Sequence, residues 1–80
     1  MGGKIVPLAS LSPGMVASII EVEGGYGIQR KLHIMGIMPG KKVRLVSVQP
    51  MRGPVTIETN GRQISLGRGM AARILVEVIE

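Results

Sequence analysis

The side chains that could carry out chemistry are few in this sequence of 80 residues. There is no cysteine and no aspartate, His33 is the only histidine, and glutamates supply all the carboxylates. A Ser-His-Asp triad, a cysteine nucleophile and cysteine-based metal or disulfide scaffolds are therefore excluded. His33 lacks a second ligand at a metal-binding spacing, so we expect a solvated histidine and no resident cofactor. The alternative is weak or adventitious binding of a divalent metal by His33, with Glu21, Glu23 and Glu58 as oxygen partners.

A glycine-rich segment, Gly24–Gly27, precedes a predicted helix and raises the question of a phosphate-binding loop. The Lys-Ser/Thr pair of a Walker A loop is missing, and Arg30 stands where a dinucleotide fingerprint needs its third glycine. We therefore interpret the segment as a turn that ends a strand and begins the helix.

The charge balance is strongly basic, with ten Lys and Arg residues against five acidic ones, a net charge of +5. Such a balance favours an acidic partner, although many small domains carry similar charge for solubility. Single-stranded nucleic acid is usually held by stacking on aromatic side chains, and Tyr26 is the only aromatic residue. We therefore do not expect nucleic acid as a partner, and a small nucleic-acid-binding barrel stays an alternative.

Five residues are candidates for partner binding: Tyr26, Arg30, Lys31, Met51 and Arg52. Tyrosine and arginine are over-represented in binding hot spots, and loops between strands often carry binding residues. We predict a docking surface around the helix and the Met51–Arg52 loop. The alternative is that Tyr26 covers the glycine turn and the basic residues are solvated. An exposed aliphatic patch could equally be the seam of a homo-oligomer.

The elements that must position these residues are mostly strands. Many Ile and Val residues, together with 12 glycines and 5 prolines, favour strands and tight turns. The chain is long enough for one domain, residues 1–80, with residues 1–7 as a lead-in or edge strand. We predict one short amphipathic helix at about 26–35 and five strands, at 15–23, 41–49, 55–59, 62–66 and 73–79. This pattern indicates a small, mainly β barrel, and no apolar run is long enough to cross a membrane.

Two further details of the strands are predicted. Asn60-Gly61 indicates a type I′ hairpin that pairs Ile57 with Ile64, both facing the core. In the strand from 41 to 49 the apolar face switches after Leu45, which indicates a β-bulge or a sharply coiled strand. In the strand from 15 to 23 we expect strict alternation, with Val16, Ser18, Ile20 and Val22 on one face and Ala17, Ile19 and Glu21 on the other.

Five segments form a pattern that extends from Leu8 to about Glu77. They are Leu8-x-x-Leu11-x-Pro13-Gly14, Gly24-Gly25-Tyr26-Gly27, the run from Arg30 to Gly40, Gly53-Pro54-Val55, and the run from Ala72 to Val76. The pattern resembles the FeoA family, small cytosolic proteins of ferrous iron uptake, and also the C-terminal SH3-like domain of DtxR-type repressors. The Arg-x-Leu-x-x-Met-Gly-Ile-x-Pro-Gly run is its most specific part.

This resemblance implies an SH3-like barrel with a helix inserted after the first long strand. It also implies a non-enzymatic accessory role with FeoB, the membrane iron transporter that carries a cytosolic GTP-binding domain. The expected location is the cytoplasm, peripherally at the inner face of the membrane through this partner. The resemblance brings no catalytic residues. An alternative within the same process is a small carrier or sensor that binds ferrous iron at His33 with glutamate partners.

Overall fold

The computed structural model describes residues 3–79, which form one antiparallel sheet and two helices. Six strands lie in the order β1-β6-β2-β3-β4-β5. The strands are β1 (Ile5–Pro7), β2 (Val16–Val22), β3 (Lys42–Val48), β4 (Val55–Thr59), β5 (Arg62–Leu66) and β6 (Ile74–Val78); the helices are α1 (Tyr26–Ile34) and α2 (Arg68–Ala71). A short 3₁₀ turn, Leu8–Ser10, follows β1.

The mainly β architecture with one short amphipathic helix is confirmed, and so is the edge strand within the lead-in. β1 pairs with β6 through Val6 and Val76, which places it at one edge of the sheet. Residues 1–2 of the predicted lead-in lie outside the described residues. The helical turn α2 covers the core with Ala71, which is fully buried.

The core inside this sheet is aliphatic except for the side chain of Thr59, and it contains no aromatic residue. Its largest fully buried side chains are Leu8, Ile19, Leu32, Ile37, Leu45, Ile57 and Ile74. They come from the strands, the 3₁₀ turn, α1 and the segment that follows α1. Burial of this apolar surface is the main favourable contribution to folding.

The β4–β5 hairpin has the predicted turn and register. Asn60 and Gly61 both have positive φ, 53° and 75°, as a type I′ turn requires. Ile57 pairs with Ile64, and Glu58 pairs with Gln63 on the opposite face. The two isoleucines are not equivalent, because Ile57 is fully buried and Ile64 only half-buried. β5 lies at the edge of the sheet, so less structure covers its side chains.

Both β2 and β3 contain a bulge. The bulge in β3, between Leu45 and Ser47 in the pairing with β4, is confirmed. The strict alternation expected for β2 is wrong, because its pairing with β6 shifts between Ile19 and Glu21. The shift moves Val22 into the core on the same side as Ile19, while Ile20 stays 40% exposed. Bulges of this kind increase the local bend of a strand and so help the sheet to curve around its core.

The turn between β3 and β4 is strained. The Gly53 amide donates to the Pro50 carbonyl at 3.1 Å, and the two central residues, Met51 and Arg52, have φ of 57° and 61°. These are the angles of a type I′ turn, which normally requires Asn or Gly. Side chains with a Cβ occupy this region at a cost of about 1–2 kcal/mol per residue.

Candidate functional site

The entry into α1 is fixed by the glycine turn. Gly24 has a φ of 128°, and a Cβ at this position would lie only 3.2 Å from Cδ1 of Ile28. The Gln29 side chain donates to the Gly24 carbonyl at 3.0 Å, and the Gln29 amide donates to the Gly25 carbonyl at 3.1 Å. The glycines therefore allow a close packing of turn against helix, in agreement with their interpretation as a turn.

The exit from α1 is a complete Schellman motif. The Gly36 amide donates to the His33 carbonyl at 2.9 Å, and the Ile37 amide donates to the Leu32 carbonyl at 2.8 Å. Gly36 has the left-handed φ of 86° that this motif needs. Ile37 and Leu32, the two apolar positions of the motif, are both fully buried. The end of α1 is thus tied directly to the core.

The inner face of α1 is the predicted apolar stripe. Leu32 is fully buried, and Ile28 and Met35 pack against the core while remaining partly exposed. This anchoring fixes the rotation of the helix about its axis. The residues on the opposite face must then point away from the barrel.

The outer face of α1 consists of Tyr26, Arg30, His33 and Ile34. At about 100° per residue these four positions fall within an arc of about 100° opposite the buried stripe. Tyr26 is 79% exposed and Ile34 is 73% exposed. Together with Gln29 they border an open groove of about 400 Å³. We call these five residues the α1 face.

All the ionisable side chains of α1 except that of Tyr26 are basic. The helix contains Arg30, Lys31 and His33 and no acidic residue. Within residues 3–79 the one ion pair joins Arg44 to Glu58, with 3.7 Å between Nη1 and Oε1. No described carboxylate therefore lies within ion-pair distance of Arg30 or Lys31.

A second groove, of about 240 Å³, lies between α1 and β2. His33 and Glu21, two of the residues considered as metal ligands from the sequence, both border it. Across residues 3–79, however, no three His or Glu side chains come together as a metal-binding group. The absence of a resident cofactor stays a prediction.

The structure does not bring all five predicted docking residues together. Tyr26, Arg30 and Lys31 lie on α1, with Lys31 at the flank of the α1 face. Met51 and Arg52 lie in the turn that precedes β4, and Met51 is 98% exposed. The end of α1 lies at the other end of β4, where Asn60 and Arg62 side-chain atoms approach Gly36.

Ile34 belongs to the α1 face although the sequence analysis did not select it. It lies four residues after Arg30 and eight after Tyr26, so it is in phase with both along a helix. It is also out of phase with the Ile28, Leu32 and Met35 stripe. An apolar residue in phase with the polar side of a helix is a signal that could have identified it.

A family model described as the FeoA domain matches residues 6–78. The chain belongs to the FeoA family. It is 38% identical over 74 residues to a protein named putative Fe(2+) transport protein A from Methanocaldococcus jannaschii, covering 92% of this chain and 88% of that protein. FeoA proteins are accessory proteins of Fe(2+) transport, which confirms the resemblance.

A second relative is a fusion protein. It is named Fe(2+) transport protein A/Fe(2+) transporter FeoB fusion protein, from Porphyromonas gingivalis. The match is 36% identical over 72 residues and covers 90% of this chain but 8% of the fusion. The FeoA-like part of that protein is therefore a small portion of a much longer chain.

Solved structures confirm the fold. A crystal structure of an iron uptake regulatory protein, FeoA, superposes with a TM-score of 0.87 at 29% identity, covering 95% of this chain and 99% of that one. A manganese-dependent transcriptional repressor also reaches a TM-score of 0.87, at 15% identity, with 99% of this chain matched to 44% of the repressor. At that identity the repressor shares the SH3-like fold alone. Within residues 3–79, neither helix is long and apolar enough to cross a membrane.

Proposed function

We propose that this FeoA protein is a non-enzymatic accessory protein that supports ferrous iron uptake by binding the cytosolic part of an FeoB-type transporter. The observation that carries the proposal is the fusion relative, whose FeoA-like portion is 36% identical to this chain over 72 residues. Two domains that are covalently joined in one protein act at the same place. Where they are separate chains, a binding surface must replace the covalent link.

The architecture supports an interaction role. The interior of the sheet is filled almost entirely by aliphatic side chains, and the groove along the outer side of α1 is open to solvent. The charge of +5 would speed encounter with an acidic partner surface. Ferrous iron is then the cargo of the transporter, and the protein acts at the cytoplasmic face of the membrane through its partner.

The test is ferrous iron uptake in cells that lack this protein. We expect anaerobic uptake of labelled ferrous iron to fall when the gene is deleted, and to return when the wild-type gene is restored. A strain without the transporter gives the background level. Unchanged uptake in iron-poor medium would contradict an accessory role.

A second measurement tests the partner directly. The tagged protein is incubated with native membranes, and the retained proteins are identified by mass spectrometry. We expect the FeoB-type transporter to be retained at low salt and to be released as the ionic strength rises. Loss of uptake without retention of the transporter would keep the accessory role and reject direct binding.

A further inference from the structure

We infer that the α1 face is the docking surface of this protein and that its partner is an acidic protein segment that places an apolar side chain in the groove. This inference rests on the proposed function, because it assigns the surface through which the transporter is bound. It also narrows the predicted docking surface to one side of the molecule, without Met51 and Arg52.

Two large apolar side chains are exposed on this one short helix. Tyr26 and Ile34 are 79% and 73% exposed, although Leu32 on the same helix is fully buried. They lie at the two ends of the α1 face with a groove between them. A groove with apolar ends can bury one apolar side chain of a partner, and such central contacts supply much of the affinity of an interface.

Hydrogen bonds hold the α1 face in place at both ends of the helix. The Gln29 hydrogen bond to Gly24 fixes the first turn of α1, and the Schellman motif at Gly36 fixes the last turn. A surface held in this way loses little conformational freedom when a partner binds, so more of the contact energy appears as affinity.

The α1 face also carries basic side chains. Arg30 lies between the two apolar ends, Lys31 and His33 flank it, and α1 offers them no carboxylate. An acidic segment would complement this surface, with its carboxylates near the cations and its apolar side chain in the groove. Charge complementarity of this kind mainly sets specificity and the association rate.

The same charges disfavour two other occupants. In a two-fold symmetric dimer through α1, the same basic patch of both copies would enter one interface, which would bring Arg30 and Lys31 of the two copies close together. A lipid surface would suit the cations, but a helix that lies in a membrane interface needs a broad apolar face. The outer face of α1 has two apolar residues, Tyr26 and Ile34, and Arg30 and His33 lie between them.

The experiment measures binding of the isolated cytosolic part of the FeoB-type transporter from the same organism. We expect Ile34→Ser and Tyr26→Ala each to weaken binding roughly tenfold or more. We expect Arg30→Glu to weaken binding and to reduce its dependence on salt. Circular dichroism and thermal unfolding should show that all three variants remain folded, because the changed side chains are exposed.

Matched controls come from the β3–β4 turn, which carries an even more exposed apolar residue, Met51, and a cation, Arg52. Met51→Ser makes a change similar to Ile34→Ser, and Arg52→Glu changes the net charge as Arg30→Glu does. We expect both controls to bind within about twofold of the wild type. Control variants that bind worse than the α1 variants would move the surface to the turn and overturn the inference.

The remaining outcomes separate the inference from the proposed function. If the wild type binds the transporter part and the α1 variants bind equally well, the inference fails and the proposed function stands. If the wild type does not bind it, the inference fails together with direct binding of the transporter, and the uptake measurement alone decides the accessory role. Binding of the wild type to phosphatidylglycerol vesicles, or self-association in sedimentation experiments, that is lost in Ile34→Ser would instead assign the α1 face to a membrane or to a second copy.

Discussion

At the scale of single residues, the core contains one polar side chain among residues 3–79, that of Thr59. It is 3% exposed, and its hydroxyl donates to the Lys42 carbonyl at 3.1 Å. The bond joins the end of β4 to the start of β3, where the sheet approaches α1. Because a buried hydroxyl without a partner is costly, this contact favours the native pairing of the two strands over alternatives.

We predict that Thr59→Val destabilises the protein by about 1 kcal/mol, although valine has the same shape and a good β propensity. Valine removes the donor and leaves the Lys42 carbonyl without this hydrogen bond. Thr56→Val is the control, because the Thr56 hydroxyl pairs with Ser65 at 3.1 Å on the exposed face. Urea unfolding measures both variants, and an equal effect would mean that burial of the Thr59 bond is unimportant.

The residues of the candidate site were predicted from the sequence in part, for a physical reason. Tyr26 and Arg30 stand out by type, since one is the only aromatic residue and the other begins a basic run. Ile34 does not stand out, because one isoleucine among many looks like core until the rotation of the helix is known. Met51 stands out only by its place in a loop. The sequence does not indicate which end of β4 the helix approaches, and so does not show that Met51 lies away from the end of α1.

At the scale of elements, predictions succeeded where local chemistry determines geometry. The Asn60-Gly61 turn sets the register of the β4–β5 hairpin, and Gly36 ends α1 through its φ. The bulge in β2 was missed because both faces of that strand carry apolar residues around Ile20. The one marker for a change of face is Glu21, because strict alternation would place its carboxylate on the same face as the buried Ala17 and Ile19.

The hairpin yields a prediction about unequal burial. Ile57→Ala should cost about 2–5 kcal/mol, because the side chain is fully buried and its removal leaves a cavity. Ile64→Ala should cost about 1–2 kcal/mol, because only part of its surface leaves water on folding. Glu58→Ala and Gln63→Ala, on the solvent face, should each stay within about 0.5 kcal/mol. An equal drop in melting temperature for Ile64→Ala and Ile57→Ala would contradict the unequal burial of the two side chains.

The β3–β4 turn and the β4–β5 turn have similar backbone angles, so the two central residues of one turn can be exchanged for those of the other. Both have positive φ at two central positions, but one contains Asn60-Gly61 and the other Met51-Arg52. We predict that the double change Met51→Asn, Arg52→Gly stabilises the protein by about 1 kcal/mol or more, because it relieves left-handed strain. In a domain of this size that raises the melting temperature by about 4–8 °C per kcal/mol.

The reciprocal change, Asn60→Met with Gly61→Arg, is the control for this exchange. A Cβ at Gly61 has no atom within 4 Å, so its cost is conformational rather than steric. We expect destabilisation of at least the same size. If neither double variant changes the melting temperature, the strain at Met51 and Arg52 is not energetically significant.

At the scale of the whole molecule, the two ends of the described chain meet in the sheet. The Gly3 amide donates to Glu77 Oε2 at 2.6 Å, and the Val78 amide donates to the Lys4 carbonyl at 3.1 Å. This β1–β6 pairing joins segments far apart in sequence, and local propensities do not encode such long-range choices. Periodicity alone therefore does not determine the order of the strands in the sheet. The number of strands and the family resemblance are what predict the barrel.

The fusion relative leads to the last prediction, which concerns how the whole protein acts on its partner. If the α1 face serves only to hold the complex together, a covalent link should make its affinity unimportant. A short flexible linker raises the effective concentration of a tethered domain to the order of millimolar. We predict that Ile34→Ser lowers ferrous iron uptake as a separate chain and restores uptake when it is fused to the transporter through a Gly-Ser linker.

The fused wild-type protein is the reference for this experiment, and equal amounts of transporter in the membrane must be verified. Uptake by the fused wild type and the fused Ile34→Ser variant should be equal, because both docking surfaces are then saturated. A fused variant as defective as the separate one would contradict a purely holding role. Ile34 would then contribute to a step that follows docking, since proximity alone would already be provided.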